Sequence, residues 1–87
     1  MKSFEYTIKD ELGIHARPAG LLVKAAKAFK PATTITLHKG EKSSDVTKLM
    51  SLMSLAVKCG DTVTITAEGG DEEAAAAAIE KFLQENL

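Results

Sequence analysis

A histidine, an arginine and a proline lie close together near the start of the chain, as His15, Arg17 and Pro18. From the next residue onward the chain turns apolar at steps of three and four residues, which predicts a helix over about 16–28, ending before Pro31. Proline is tolerated in a first helical turn because the N–H that it lacks would have no intrahelical partner there. The pattern therefore places His15 and Arg17 at a helix N-terminus, where N–H groups and the macrodipole favour an anion.

These residue types suit reversible binding of a phosphoryl group. A neutral imidazole is a competent nucleophile near neutral pH, and a helix N-terminus disfavours the imidazolium form of His15. The guanidinium of Arg17 matches phosphate oxygens better than any other side chain. No Ser-His-Asp, paired-carboxylate or metal-ligand arrangement competes for these residues. Two alternatives stay open: in one, His15 is an uncharged cap beside a surface arginine; in the other, Arg17 is itself the cap of a helix that starts at Pro18.

A basic stripe runs along the same predicted helix. Its members are spaced by three and four residues and therefore share one helix face: Arg17, Gly20, Lys24 and Lys27. Such a stripe is either a solvated surface or a docking surface for an acidic partner.

A second, short helix is predicted from Lys48 to Val57, with Thr47 as its N-cap. Its large apolar residues are too many for one buried stripe, so some must face outward: Leu49, Met50, Leu52, Met53 and Leu55. Either the helix is crowded into the core, with methionine filling gaps, or it presents an apolar patch to a partner.

The remaining elements alternate between strands with one apolar face and turns. Strands are predicted over 3–9, 33–37, 42–46 and 62–67, with His38 in a hairpin turn that ends at Glu41. A last helix over 72–86 has Asp71 as its N-cap and buries five residues: Ala75, Ala78, Ile79, Phe82 and Leu83. The order β-α-β-β-α-β-α predicts two layers, an antiparallel sheet with one face covered by helices and a threonine-rich face in solvent.

Composition narrows the function classes. The 87 residues are expected to form one domain, and the net charge of −1 argues against a nucleic-acid binder. The few aromatic residues fall on faces assigned to the core, so the sheet lacks a base-stacking surface. We expect no signal peptide and no membrane insertion. The single cysteine, Cys59, is expected to be half-buried near a turn, and it fits a reducing cytoplasm.

The segment Gly13-Ile14-His15-Ala16-Arg17-Pro18-Ala19 resembles the active-site signature of HPr, the family of histidine-containing phosphocarriers of the sugar phosphotransferase system. The resemblance covers the whole chain, including the Lys-Leu-Met-Ser-Leu-Met-Ser-Leu helix and the Gly-Asp…Thr-Ile-Thr-Ala-Glu-Gly strand. It implies an α+β open-faced β-sandwich, βαββαβα, with three helices on one face of a four-stranded antiparallel sheet in the order 1-4-2-3. It also favours His15 as the cap and Ala16 as already helical.

The same resemblance implies a function. His15 would take a phosphoryl group on Nδ1 from enzyme I, charged by phosphoenolpyruvate, and pass it to the IIA unit of a sugar permease. Arg17 and the backbone of Ala16 and Arg17 would hold the phosphate. Such a protein is a carrier without turnover of its own, a cytoplasmic monomer that needs neither cofactor nor metal. The implied partner face combines the two stripes: Gly20, Lys24, Lys27, Leu49, Met50 and Met53.

One position departs from the pattern of many Gram-positive members, which carry a regulatory serine at the start of the second helix. Aligning the Leu-Met-Ser-Leu-Met-Ser-Leu run places Lys48 there, so no serine-type regulation is expected. Thr47 is the nearest hydroxyl and the fallback candidate for such a phosphosite, and Ser43 and Ser44 are further upstream. The alternative function is a regulatory module that binds proteins according to its phosphorylation state. The presence of His15 favours the carrier.

Overall fold

The structure, a computed structural model, describes residues 1–11, 13–14, 16–29 and 32–87. Within these ranges the elements are β1 (Lys2–Thr7), α1 (Ala16–Lys27), β2 (Thr33–Lys39), β3 (Lys42–Asp45), α2 (Leu49–Ser54), β4 (Thr62–Gly69) and α3 (Glu72–Asn86). The strands form one antiparallel sheet in the order β1-β4-β2-β3. The predicted α+β fold and strand order are confirmed.

The core lies between one face of the sheet and the helices. Alternating residues of the central strands β2 and β4 point into it, and each helix adds an apolar stripe, so one continuous cluster forms. Its members with the least exposure include Ile35, Leu37, Val63 and Ile65 from the sheet and Leu22, Leu52, Ile79 and Leu83 from the helices. The opposite face of the sheet carries the predicted threonines, which are exposed or half-buried. No helix in the described ranges is long and apolar enough to cross a bilayer.

His38 is a strand residue and not the turn residue that the sequence predicts. β2 continues to Lys39, and the turn is the pair Gly40–Glu41. Gly40 has the positive φ (+60°) that such a turn requires. His38 pairs with Ser43 of β3, and its Nε2 lies 3.2 Å from Oγ1 of Thr66 on β4. β2 is hydrogen-bonded to β3 on one side and to β4 on the other. This pairing extends the strand up to the two-residue turn.

α2 is shorter than predicted, and Thr47 is not its N-cap. Lys48 takes that position without a side-chain cap bond. The Asp45 carboxylate accepts hydrogen bonds from both the Thr47 N–H (2.8 Å) and the Thr47 hydroxyl (2.6 Å). Because the Thr47 hydroxyl is bound to this charged acceptor, it does not turn toward α2 to cap the helix. At its other end α2 stops before Ala56, which adopts a left-handed conformation (φ +52°).

Asp71 occupies the N-cap position of α3, but its side chain makes no cap hydrogen bond. Its N–H donates to Oγ1 of Thr33 at 3.1 Å. The neighbouring Glu72 carboxylate instead accepts from the Gly69 N–H (3.1 Å) and from the N-terminal ammonium (2.9 Å). The ammonium, followed by the Gly69 N–H, holds the pKa of Glu72 below its ordinary value. A carboxylate at the first helical residue thus closes this turn in place of the predicted cap.

Two burial predictions are wrong. Ala78 is exposed, because the buried stripe of α3 follows steps of four residues through Ala75, Ile79 and Leu83 and leaves Ala78 on its flank. Cys59 is also exposed, because it lies in the turn between α2 and β4 with its side chain open to solvent. The other four residues predicted to be buried in α3 are buried or half-buried.

Asp61 closes the turn that leads into β4. Its Oδ2 accepts a hydrogen bond from the Lys58 N–H at 2.9 Å and lies 3.1 Å from Nζ of Lys39. These two contacts, the backbone N–H first, lower the pKa of Asp61 from its ordinary value of 3.8. Because the folded state prefers the carboxylate, this contribution to stability is present above the ordinary pKa and is lost as the pH falls through the lowered one.

We expect Asp61→Asn to lower the urea midpoint of unfolding at about pH 7, with the difference from wild type shrinking as the pH falls below about 4. Asparagine can still accept the Lys58 N–H, so the change chiefly removes the charge. The control is Glu68→Gln, which neutralises an exposed carboxylate at the end of β4. Equal pH profiles for the two variants would contradict the assignment to Asp61.

Candidate functional site

The helix that follows the candidate nucleophile begins at Ala16, so the alternative start at Pro18 is wrong. His15 comes directly before it in the sequence and lies outside the described residues, as do Leu12, Lys30 and Pro31. The first N–H groups of a helix have no intrahelical acceptor, and in α1 these belong to Ala16 and Arg17. No acidic residue lies in the first turn of α1 to offset the positive end of the dipole. The start of α1 is therefore suited to an anion.

The chain before α1 rests against the chain after α2. The Ile14 N–H donates to the carbonyl of Val57 at 3.0 Å, and the Gly13 N–H donates to the carbonyl of Asp10 at 2.9 Å. Gly13 has φ +66°, and a Cβ at this position would lie 2.3 Å from the Val57 oxygen and 2.6 Å from Cα of Lys58. Only glycine fits this close approach, which holds the two residues preceding His15 in place.

Arg17 is exposed at the edge of a cleft of about 300 Å³. The cleft is also lined by Asp10, Pro18, Leu21 and Asn86. Next to the lining residues Asp10 and Asn86, the Leu87 carbonyl oxygen accepts the N–H groups of Lys9 (2.6 Å) and Asp10 (2.8 Å). Among the residues that the structure describes, Arg17 forms no ion pair. Its guanidinium is thus accessible to an incoming phosphate.

Three of these cleft residues are not singled out by the sequence pattern. Leu21 is 46% exposed, although it belongs to an apolar run. Two features of the sequence could have indicated that Leu21 is exposed beside Arg17. Only Leu22 of the Leu21–Leu22 pair fits the buried stripe, and Leu21 lies four residues after Arg17, on the same helix face. Asp10 and Asn86 offered no such signal, since only the fold brings the two ends of the chain to the start of α1.

The two stripes lie on neighbouring helices that pack against each other. On α1, Arg17, Lys24 and Lys27 are exposed and Gly20 is half-buried. The apolar residues of α2 and its end divide into exposed and buried ones, as their number in the sequence predicted. Leu49 and Met50 are 40% and 83% exposed, Met53 is half-buried, and Leu52 and Leu55 are buried. We use the name docking face for these exposed and half-buried residues of α1 and α2, with Leu21 included: Arg17, Gly20, Leu21, Lys24, Lys27, Leu49, Met50 and Met53.

Two hydroxyl groups just before α2, those of Ser44 and Thr47, are buried and therefore poorly placed for a modifying enzyme. Thr47 is 8% exposed and donates its hydroxyl to Asp45. Ser44 is 5% exposed, and its Oγ donates to the Asp45 carbonyl. Lys48 is exposed at the start of α2, and Ser43 is exposed on β3. Because Thr47 is buried and its hydroxyl is engaged by Asp45, it is poorly suited to serve as a phosphosite in place of the serine that Lys48 replaces.

No group of three or more His, Cys, Asp or Glu side chains in the described ranges is arranged to hold a metal ion. At the start of α1 the described residues offer backbone N–H groups, the helix dipole and one guanidinium. Groups of this kind are suited to binding and orienting a phosphate.

Comparison with known proteins agrees with this chemistry. A family model described as the PTS HPr component phosphorylation site matches residues 2–85. The phosphocarrier protein HPr of Mycoplasma genitalium is 42% identical over 86 residues, covering 99% of this chain and 97% of its own. The solved histidine-containing phosphocarrier protein of a mycoplasma has a TM-score of 0.91 at 36% identity, covering 97% and 93% of the two chains. An HPr dimer from Thermoanaerobacter tengcongensis has a TM-score of 0.76 at 38% identity, covering 98% and 95%.

Fold and site together define a small open-faced sandwich in which a helix start suited to an anion lies beside a basic and apolar face. The chain belongs to the HPr family of phosphocarriers of the phosphotransferase system.

We expect Gly13→Ala to lower the free energy of unfolding by about 3 kcal/mol, because the new Cβ would collide with the Val57 carbonyl. The matched control is Gly40→Ala, at a similar φ of +60° but with open space around it. That change should cost only the left-handed conformation, about 1 kcal/mol. Urea denaturation of both variants measures the difference, and equal losses would show that the contact with Val57 is unimportant.

Proposed function

We propose that His15 accepts a phosphoryl group from phosphorylated enzyme I and passes it to the IIA component of a sugar permease. The observation that carries this proposal is that α1 begins at Ala16, directly after His15, with Arg17 exposed in its first turn. Membership of a phosphocarrier family, matched over residues 2–85 by a model described as a phosphorylation site, supports the same assignment.

The transfer is a substitution at phosphorus. The Nδ1 lone pair of neutral His15 forms the new N–P bond, while the bond between phosphorus and the donor breaks and its electron pair stays with the donor. The proton on Nε2 remains in place, so no general base is needed. The backbone of Ala16 and Arg17 and the Arg17 guanidinium stabilise the charge on the phosphoryl oxygens. The second transfer, to IIA, is the same step with His15 as the donor.

A carrier of this kind is not an enzyme with its own turnover, since it is consumed and regenerated by two partners. Residues 1–87 act as one unit, and the protein works as a monomer, because the docking face must be free for each partner in turn. The dimer described for the Thermoanaerobacter relative is a property of that protein. A cytoplasmic location fits the exposed and unpaired Cys59.

The docking face determines the chemistry of the partners. Its lysines and arginine favour an acidic rim, and Leu21, Leu49 and Met50 favour an apolar centre on the partner. Lys48, where a regulatory serine would lie, adds a further cation beside this face. We therefore propose that the carrier is controlled by the supply of phosphoryl groups and not by a kinase acting at α2.

Incubation with phosphoenolpyruvate and enzyme I should place an acid-labile label on the wild type and none on His15→Ala. Arg17→Ala should keep the label site but slow its transfer by about 10-fold to 100-fold, since a charge-assisted contact to the phosphoryl group is lost. Label that persists on His15→Ala would refute the proposed nucleophile.

Met50→Asp should raise the apparent KM for phosphorylation by enzyme I about tenfold, because it places a charge at the centre of the apolar part of the docking face. Met50 is 83% exposed, so little stability is lost. The control is Ala78→Asp, which adds the same charge at an exposed position on α3. An equal KM for the two variants would place the docking face elsewhere.

A further inference from the structure

The chain between α2 and β4, residues 55–61, is held by one lysine from the hairpin. Nζ of Lys39 donates to the carbonyl oxygens of Leu55 (3.3 Å) and Ala56 (2.9 Å). It also forms an ion pair with Asp61 at 3.1 Å, in which both side chains are about one-third exposed. One ammonium group therefore binds both ends of this connection and satisfies carbonyls at the C-terminal end of α2, where a cation is favourable.

The conformation of the connection calls for such support. Ala56 has φ +52°, a left-handed conformation that is unfavourable for a residue with a Cβ. Strained residues persist only where their surroundings enforce them. The hydrogen bond from Lys39 to the Ala56 carbonyl supplies one such constraint. On the other side, the hydrogen bond from the Lys58 N–H to the Asp61 carboxylate closes the turn.

The connection in turn holds the chain on both sides of the loop that leads to His15. The carbonyl of Val57 accepts the Ile14 N–H at 3.0 Å. Before the loop, Ile8 exchanges backbone hydrogen bonds with the same connection, from the Ile8 N–H to the Asp61 carbonyl (2.9 Å) and from the Gly60 N–H to the Ile8 carbonyl (2.8 Å). Any shift of residues 55–61 therefore moves the residues that precede the start of α1.

We propose that Lys39 is a positioning residue for phosphoryl transfer, acting with Asp61 through the 55–61 connection on Gly13 and Ile14, directly before His15. The inference rests on the proposed function of His15. Lys39 contacts the Leu55 carbonyl just after α2, whereas Leu49 and Met50, the most exposed apolar residues of α2, lie at its beginning. Its loss therefore affects the geometry of the transfer more than the docking of the partner.

The first test is amide hydrogen exchange on the intact protein. Lys39→Met should speed exchange of the Ile14 amide about tenfold relative to the Ile65 amide in the core of the sheet. Lys39→Arg keeps a cation with several donors and should restore the wild-type ratio. The matched control is Lys42→Met, since Lys42 is exposed and pairs with Lys39 across the hairpin. An Ile14 rate that rises only in step with Ile65 indicates general destabilisation and overturns the proposal, as does an equal effect of Lys42→Met.

The second test is the kinetics of phosphorylation by enzyme I and phosphoenolpyruvate. Lys39→Met should lower the maximal rate about fivefold with little change in KM, the opposite of the pattern expected for Met50→Asp. Lys39→Arg should recover the rate. An unaltered rate in Lys39→Met, with label on the wild type, overturns the positioning role alone. A wild type that takes no label overturns the proposed function and the transfer role of Lys39 with it.

Discussion

The contact between the chain before α1 and the chain after α2 is the constraint on which the site depends. Directly before His15, its described part consists of a backbone hydrogen bond from the Ile14 N–H to the Val57 carbonyl and of a close approach that only Gly13 permits. Through it the beginning of α1 is tied to the end of α2. The position of the site therefore depends on the position of α2, although the two segments are far apart in the sequence.

A phosphoryl carrier has different requirements from an enzyme that encloses its substrate. It must hold a phosphate long enough to deliver it, and it must present the same group to two partners in turn. An exposed helix start with one guanidinium and no enclosing lid among the described residues meets both requirements, since N–H groups and a dipole stabilise charge without covering it. In the proposed function, the basic and apolar docking face beside it supplies affinity at the surface, where each partner can still dissociate.

The capping residues show where local rules were overridden. Thr47 and Asp71 are good N-cap types by sequence, yet neither side chain caps its helix. In each case a nearby carboxylate determines the local hydrogen bonds: that of Asp45 binds Thr47, and that of Glu72 closes the turn before α3. Cap preferences describe a helix in isolation, whereas charged acceptors from adjacent turns compete for the same donors.

The sequence by itself determined the elements, their order and the faces they bury, because alternation and helical spacing report which side of each element is apolar. It also indicated that some of the apolar residues of α2 must be exposed, and the family resemblance supplied the strand order and the role proposed for His15. Only the tertiary structure decided which ones are exposed, that Leu21 joins Arg17 at a cleft with Asp10 and Asn86, and that Lys39 reaches the end of α2. These are contacts between residues remote in the chain, and they depend on how the sheet and helices pack, which no local pattern encodes.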